Sequence, residues 1–257
     1  SLRRWADAGT LATTLASLRD DPSWQVHAAR LSPSLASLRE HQARVAAGRV
    51  VDLAGGGDRS VWEFDDPAEL EDFDRSIIPT FSARLDRGKA IGSGTLTPKG
   101  LSFSDGRIRL LIHVREIERP FRKDDKKGER PGPGVFRGGI DGPPGFALLL
   151  RAQDSRECYA AYLEPGEGDG ARVTIAYIPP YKDDPNPAVL QSIAITPPDK
   201  ADLDLSFSCI GDRLTLIVNG TVLLEATDTR LTASGRTAVF ARGVKASIER
   251  LEVEALR

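Results

Sequence analysis

With 257 residues, 35 basic and 37 acidic side chains and a net charge of −2, the chain can bury a substantial core but has no basic excess for nucleic acid or an anionic membrane surface. Apolar runs stay well short of the ~20 residues of a spanning helix, so no membrane insertion of this segment is expected. The 24 Gly and 17 Pro suit a globular fold with many turns, and two cysteines, Cys158 and Cys209, require no disulfide framework.

Residues 1–49 read as helical. Trp5, Leu11, Leu15 and Leu18 lie at helical spacings, Asp21-Pro22 interrupts, and Leu31, Leu35, Leu38 and Val45 continue an apolar stripe behind Pro33 and a capping Ser34. Two such helices cannot bury their stripes alone. Residues 1–57 are therefore expected to form an appendage or linker, docked on the rest of the chain or joined to an upstream domain. The chain starts at Ser1, lacks Met and shows no signal peptide, which reads as a segment of something longer. Gly55-Gly56-Gly57 lacks the strand-to-helix context of a phosphate loop and reads as a joint.

From residue 58 onward the pattern is that of strands. VWEF (61–64), TFSARLD (80–86), GLSFS (100–104), RIRLLIHVREIE (107–118), GFALLLRA (145–152), RECYAAYLE (156–164), ARVTIAYI (171–178) and VLQSIAIT (189–196) succeed one another with turn signals between them. Asp105-Gly106 reads as a hairpin dipeptide. The clearest stretch is 202–228. There Leu203, Leu205, Phe207 and Cys209 alternate with polar residues, Gly211-Asp212 breaks the run, and Asn219-Gly220 marks a type I′ turn, so a three-strand meander is predicted. TAVFAR (237–242) and ASIERLEVEA (246–255) complete a series of about a dozen strands without intervening helices, which means a sandwich or barrel. Both cysteines fall in predicted strands, as buried thiols or as a disulfide between neighbouring strands. Residues 119–144, charged and then Pro/Gly-rich, are too long for an ordinary connection and form either a loosely packed insertion or a ligand lid. The shorter 179–188 poses the same choice, with Tyr181 stacking on a ligand or covering a sheet edge.

Chemistry-bearing constellations are sparse. Of His27, His41 and His113, two lie in the helical segment, and no zinc spacing, nucleophile elbow or calcium loop is present, so no metal or cofactor is expected. A triad would have to use His113, for which the sequence names no partner. Paired carboxylates are the remaining enzymatic option.

The order of VWEF, GLSFS, RIRLLIHVREIE, GFALLLRAQDSRECYAAYLE, LSFSCIGDRLTLIVNGTVLLEATD and SGRTAVFARGVKASIERLEV resembles the concanavalin A-like lectin/glucanase jelly roll. It is most similar to laminin-G-like modules and 3-keto-disaccharide hydrolase-like domains, over residues 60–255. The resemblance implies an all-β, antiparallel two-sheet jelly-roll sandwich over 58–257, with the N-terminal helical appendage before it. The Glu-x-Asp-x-x-Glu strand of the glucanases is absent: the stretch from Glu63 to Glu69 is one residue too long and holds Pro67. The 3-keto-hydrolase-like domains carry an acid after the strand Tyr, where this chain has Ala160.

A binding face remains. Ile108, Leu110, Ile112 and Val114 share one side of their strand, leaving His113 and Arg115 on the other. Arg151 lies opposite Phe146, Leu148 and Leu150, and Tyr162 lies with Cys158 and Ala160. If these second faces form one concave surface, His113, Arg115, Arg151 and Tyr162 offer a ring and several donors to a glycan or a peptide. The alternative is that the arginines pair with Glu116, Glu164 or other acids on a solvated sheet. The expected function is a non-catalytic carbohydrate- or protein-binding module of a larger bacterial-type protein. The compartment is left open, with an extracytoplasmic or cell-surface setting favoured. Two alternatives stand beside it: a 3-keto-disaccharide-type hydrolase with relocated acids at Glu116, Glu118 or Glu164, and a structural or sensor domain without a small ligand.

Overall fold

The structure is a computed structural model that describes residues 39, 42–45, 47, 49–53, 57–74, 84–85, 90–91, 94–117, 145–153, 157–165, 170–180, 187–196, 201–242 and 244–256. Residues 42–45 are helical. The rest of the expected appendage helices, the 119–144 segment and Tyr181 lie outside the described residues.

The strands are β1 (Val50–Leu53), β2 (Gly57–Trp62), β3 (Phe73–Asp74), β4 (Arg84–Leu85), β5 (Ala90–Ile91), β6 (Gly94–Pro98), β7 (Ser102–Phe103), β8 (Asp105–Ile117) and β9 (Gly145–Ala152). They continue with β10 (Cys158–Pro165), β11 (Ala171–Ile178), β12 (Ala188–Ile195), β13 (Ala201–Ile210), β14 (Arg213–Val218), β15 (Thr221–Thr227), β16 (Gly235–Arg242) and β17 (Val244–Leu256). All pair antiparallel in two sheets. A nine-stranded sheet runs β1-β2-β17-β8-β13-β14-β15, with β5 on β17 and β4 on β5. An eight-stranded sheet runs β12-β11-β10-β9-β16-β6-β3, with β7 on β16.

The alternation predicted for the strands holds face by face. Ile108, Leu110, Ile112 and Val114 of β8 and Leu203, Leu205, Phe207 and Cys209 of β13 meet Phe146, Leu148, Leu150, Tyr159, Ala161 and Leu163 of the opposing sheet in one core. Each fully buried Leu, Ile or Phe there contributes about 1.5–3 kcal/mol. The meander forms as read. Asn219 (φ 50°) and Gly220 (φ 76°) both occupy the left-handed region, as a type I′ turn requires, and the Asn219 side chain accepts a bond from the Asp204 amide at 2.9 Å.

Three local readings differ from the structure. The first strand is β1, inside the segment assigned to the appendage; its four residues are too short to show periodicity beside the glycine triplet. Phe64, read as a strand residue, lies beyond the end of β2 and takes a φ of 59°, and its amide donates to Glu69 Oε2 at 2.6 Å. Asp66 then caps a 3₁₀ turn, Pro67–Asp72, by accepting from the Ala68 amide, so the acids of this stretch belong to a turn and its cap. Asp105-Gly106 is no hairpin either. The chain changes sheets there, β7 pairing with β16 and β8 with β17 and β13. A Cβ at Gly106 would meet the Phe103 ring at 2.4 Å and the Glu254 carbonyl at 2.5 Å, so the glycine serves close packing.

Candidate functional site

The structure separates the four residues expected to share one surface. His113 and Arg115 belong to β8 in the nine-stranded sheet, whereas Arg151 on β9 and Tyr162 on β10 belong to the eight-stranded sheet. No single face presents them together, because the next long strand after β8 in sequence lies across the sandwich and does not pair with it.

The outer face of the nine-stranded sheet is a ladder of ion pairs. Arg109 grips Asp204 through two bonds of 2.8 and 2.6 Å, which hold the Asp204 carboxyl below its usual range. Arg107 reaches Glu254 at 2.6 Å, and Arg250 reaches Glu252 at 2.8 Å. His113 gains the partner the sequence did not name: its Nδ1 lies 2.6 Å from Asp202 Oδ1 across β13. Across β17 its register neighbour is Ser247, so Ser, His and Asp stand in one row over three strands. The Ser247 hydroxyl, however, is buried and makes no hydrogen bond, so nothing links it to the imidazole as a nucleophile must be linked to its base. Arg115 falls where the β8–β17 register shifts, between the pairs made by Val114 and Glu116.

Arg151 is a clasp inside the protein and offers nothing to a ligand. Its side chain is 2% exposed. Nε donates to the Ser104 carbonyl at 2.6 Å, Nη1 to the Leu231 carbonyl at 2.5 Å, and Nη2 to the Gly211 carbonyl at 2.7 Å and Asp105 Oδ1 at 3.1 Å. One guanidinium thus ties β9 to the sheet-switching corner, the β13–β14 turn and the loop before β16. The backbone adopts φ 53° at this residue, which breaks the face alternation of β9 and turns the side chain away from Ala147 and Leu149. Beside it, the buried Tyr159 hydroxyl donates to Asp228 Oδ1 at 2.8 Å and accepts from the Leu231 amide at 3.1 Å.

Tyr162 does lie on an outer face, that of the eight-stranded sheet. Cross-strand registers place Ser192, Thr174, Tyr162, Ala147, Phe240 and Thr95 in one row from β12 to β6. The next row holds Ala176, Ala160, Leu149 and Ala238. Small residues so form a floor between the Tyr162 and Phe240 rings. Hydroxyls flank it: Thr174 Oγ1 and Ser192 Oγ are 3.0 Å apart, and Thr95 Oγ1 is buried without a hydrogen bond. Glu164 and Arg172 are register partners beside Tyr162. Burial pushes the Tyr162 phenol up to about 12 and the Glu164 charge adds to this, while a hydrogen bond with Thr174 and the Arg172 charge act in the opposite sense. The centre of the face is closed, with Ala147 and Ala160 at 0% and Tyr162 at 1% exposure, but Arg172, Ser192 and Ala194 toward the β12 side are exposed.

Sequence reasoning placed Tyr162 on an outer face but did not single out Arg172, Thr174, Ser192, Thr95 and Phe240, which share that face. The alternation of ARVTIAYI carried Arg172 and Thr174 to the face away from Val173 and Ile175; the pairing that brings Phe240 and Thr95 alongside carries no local signal. Among the described residues, the carboxylates on this face are Glu164 on β10 and Asp74 on β3. Four strand spacings separate them, on the order of 19 Å, against the roughly 5–10 Å of a glycosidase pair. Of the relocated acids, Glu116 lies on β8 in the other sheet and Glu118 lies outside the described residues. Cys158 and Cys209 are free, buried and on different sheets. No cluster of metal-ligating side chains, and no helix long and apolar enough to cross a membrane, occurs among the described residues.

No family model and no curated protein matches the chain in sequence. Solved structures do match its fold. The Crh5 transglycosylase in complex with NAG superposes with a TM-score of 0.50 at 8% identity, covering 81% of this chain and 87% of that one. The VIP36 exoplasmic/lumenal domain in its Ca²⁺/Man₃GlcNAc-bound form gives 0.48 at 13% identity over 74% and 86% of the two chains. The carbohydrate-binding module CBM66 from Bacillus subtilis gives 0.46 at 14% identity over 66% and 89%. The chain is an antiparallel two-sheet sandwich with the concanavalin A-like jelly-roll fold.

Proposed function

We propose that this chain is a non-catalytic carbohydrate-binding module whose ligand seat is the exposed β12 side of the outer face of the eight-stranded sheet, at Arg172 and Ser192 beside the buried Tyr162. The observation that carries this reading is the cross-strand row from Ser192 to Thr95, in which hydroxyl-bearing and aromatic side chains flank an alanine floor. Sugars are recognised by hydroxyls that exchange hydrogen bonds, and at the open end of this row the exposed Ser192 hydroxyl lies 3.0 Å from Thr174 Oγ1. Arg172 at the exposed end adds a donor fork suited to a carboxylate or sulfate, which favours an acidic glycan. The wide separation of Glu164 and Asp74 supports binding without hydrolysis. The fold shared with Crh5, a transglycosylase seen with NAG, is consistent with a sugar ligand.

A glycan array that includes uronate and sulfated oligosaccharides, followed by calorimetry, tests the reading. Binding is expected for wild type and is expected to weaken about tenfold in R172A, the loss of one charge-assisted contact at ~1.5 kcal/mol. R172A alters an exposed side chain and leaves the core intact. No retained glycan, or equal affinity in R172A, refutes it. The closure of the face over Ala147 and Ala160 favours a second reading, a structural or sensor domain that uses this face for packing. A blank array with a folded protein selects that reading.

A further inference from the structure

The outer face of the eight-stranded sheet carries an apolar patch that is buried. Ala147 and Leu149 on β9, Ala160 and Tyr162 on β10, Ala176 on β11 and Ala238 on β16 cluster apart from the inter-sheet core, none of them more than 8% exposed. Alanines make a shallow floor, and a tyrosine standing on it does not reach 1% exposure through lateral neighbours alone, so a further layer lies on this face. Thr95 Oγ1, in the same row as Tyr162, is buried without a hydrogen bond, as beneath an apolar layer. No described strand supplies that layer, since each belongs to one of the two sheets, and the Pro67–Asp72 turn packs on β3 at the rim. The single chain closes the face by itself, so the layer comes from its own residues outside the described ones.

We propose that residues 1–38 form this layer, packing the apolar stripe of Trp5, Leu11, Leu15 and Leu18 onto the alanine floor. Position selects them. Arg44, 1% exposed, donates from Nη1 to the Lys99 carbonyl at 2.5 Å, which fixes the chain just downstream of this segment at the end of β6. The buried row Ala176, Ala160, Leu149 and Ala238 continues in register to Thr97, 4% exposed and two residues from that anchor. Cys158 and Ile178, 3% and 8% exposed, lie one row further, level with Lys99. The other long stretch, 119–144, returns at Gly145 beside Arg242, at the opposite end of the face, and is charged and then Pro/Gly-rich, a poor match for a dry floor. Val45, which ends the second helical stripe, is 48% exposed, so the first stripe is the one the floor receives. Reach suffices as well. From β6 to β11 is ~19 Å of sheet, and the chain from Leu18 to Arg44, even wholly helical, extends ~39 Å. The layer leaves Arg172 and Ser192 open on the β12 side, and it stands whether or not a glycan binds there.

Cys158 reports on the layer because it belongs to this face, whereas Cys209 belongs to the inter-sheet core. The whole chain is exposed to a thiol reagent at pH 8, and each cysteine is followed by peptide mass mapping in wild type, L11E/L15E and F121E/F136E. Wild type is expected to leave both unreacted. L11E/L15E, which sets two carboxylates against the floor, is expected to label Cys158 about tenfold faster or more while Cys209 stays protected and the β-sheet circular dichroism persists. F121E/F136E, in the 119–144 stretch, is expected to leave Cys158 protected. Single variants L11C, L15C and L18C keep the stripe nearly intact, and under mild oxidation at least one is expected to form a disulfide with Cys158. If L11E/L15E unfolds and exposes both cysteines together, these crosslinks decide. Unchanged protection of Cys158 in a folded L11E/L15E, its release by F121E/F136E instead, or no crosslink from any of the three positions overturns the proposal.

Discussion

Replacement of Arg151 by leucine removes the guanidinium and leaves a shorter apolar side chain in its buried place. Four acceptors lose a donor: the carbonyls of Ser104, Leu231 and Gly211, and Asp105 Oδ1, which keeps the bond from the Gly211 amide at 3.0 Å. A hydrogen bond to a charged group is worth about 1.5–3 kcal/mol, but the four are not additive, and Asp105, 38% exposed, regains water. The expected loss is about 3–5 kcal/mol, the cost of breaking a buried charge from its partners. At roughly 2–4 °C per kcal/mol for a domain of this size, the melting temperature should fall by roughly 6–20 °C, read by circular dichroism. R151K should recover little, because an ammonium cannot span acceptors spread around a planar fork. R151G should be milder than R151A by about 1 kcal/mol, because the backbone at φ 53° penalises a Cβ. If R151L melts within about 2 °C of wild type, the clasp does not hold the corner together, and a role in ligand binding becomes the better account of this arginine.

The buried groups give two more outcomes. Burial pushes the Cys158 thiol up to about 12 and the Cys209 thiol up to about 11, so both stay protonated at neutral pH; native protein should leave a disulfide reagent unreacted at pH 8 and titrate two thiols only in denaturant, and prompt native labelling of either would contradict this. Burial alone would raise the Asp228 carboxyl, but the bonds donated by the Arg230 side chain and amide and by the Tyr159 hydroxyl outweigh it and hold the group below its usual range. With the folded value depressed, this contribution to stability is complete above the ordinary carboxylate range and is lost as pH falls through the folded value. D228N should therefore lose less stability than wild type between pH 7 and pH 3 in urea titrations, and equal losses would show that Asp228 is not the group responsible.

Period-two alternation is a local property, and where it was strong it was legible. Leu203, Leu205, Phe207 and Cys209 faced the core as read, and Asn219-Gly220 made its turn. Sheet membership is not local. RIRLLIHVREIE and GFALLLRA are successive strand patterns, yet they lie in opposite sheets, so the faces of His113 and Tyr162 could each be read while their separation could not. The same limit hid the sheet change at Asp105-Gly106, a dipeptide that suits a hairpin equally well. Arg151 misled for a different reason: its left-handed backbone reverses the alternation at that residue, and the carbonyls it satisfies come from segments far away in the chain. Tyr162 was legible because it continues the alternation of Cys158 and Ala160, whereas Phe240 and Thr95 join its row through registers that no short pattern encodes.

The placement of β17 bears on how the chain can fold as it is made. This strand sits at the interior of the nine-stranded sheet, with β2 and β5 on one side and β8 on the other. The β1–β2 ribbon and the β8–β13–β14–β15 block do not pair with each other among the described residues; β17 joins them. A nascent chain whose Val244–Leu256 segment still lies in the ribosomal tunnel can form the meander and much of the eight-stranded sheet, but holds two open strand edges that await the same late partner. Such contacts, distant in sequence, make folding slow and leave those edges exposed to other chains meanwhile. A variant truncated before residue 244 should therefore display a protease-sensitive β2, and a chain carrying Val244–Leu256 should protect it.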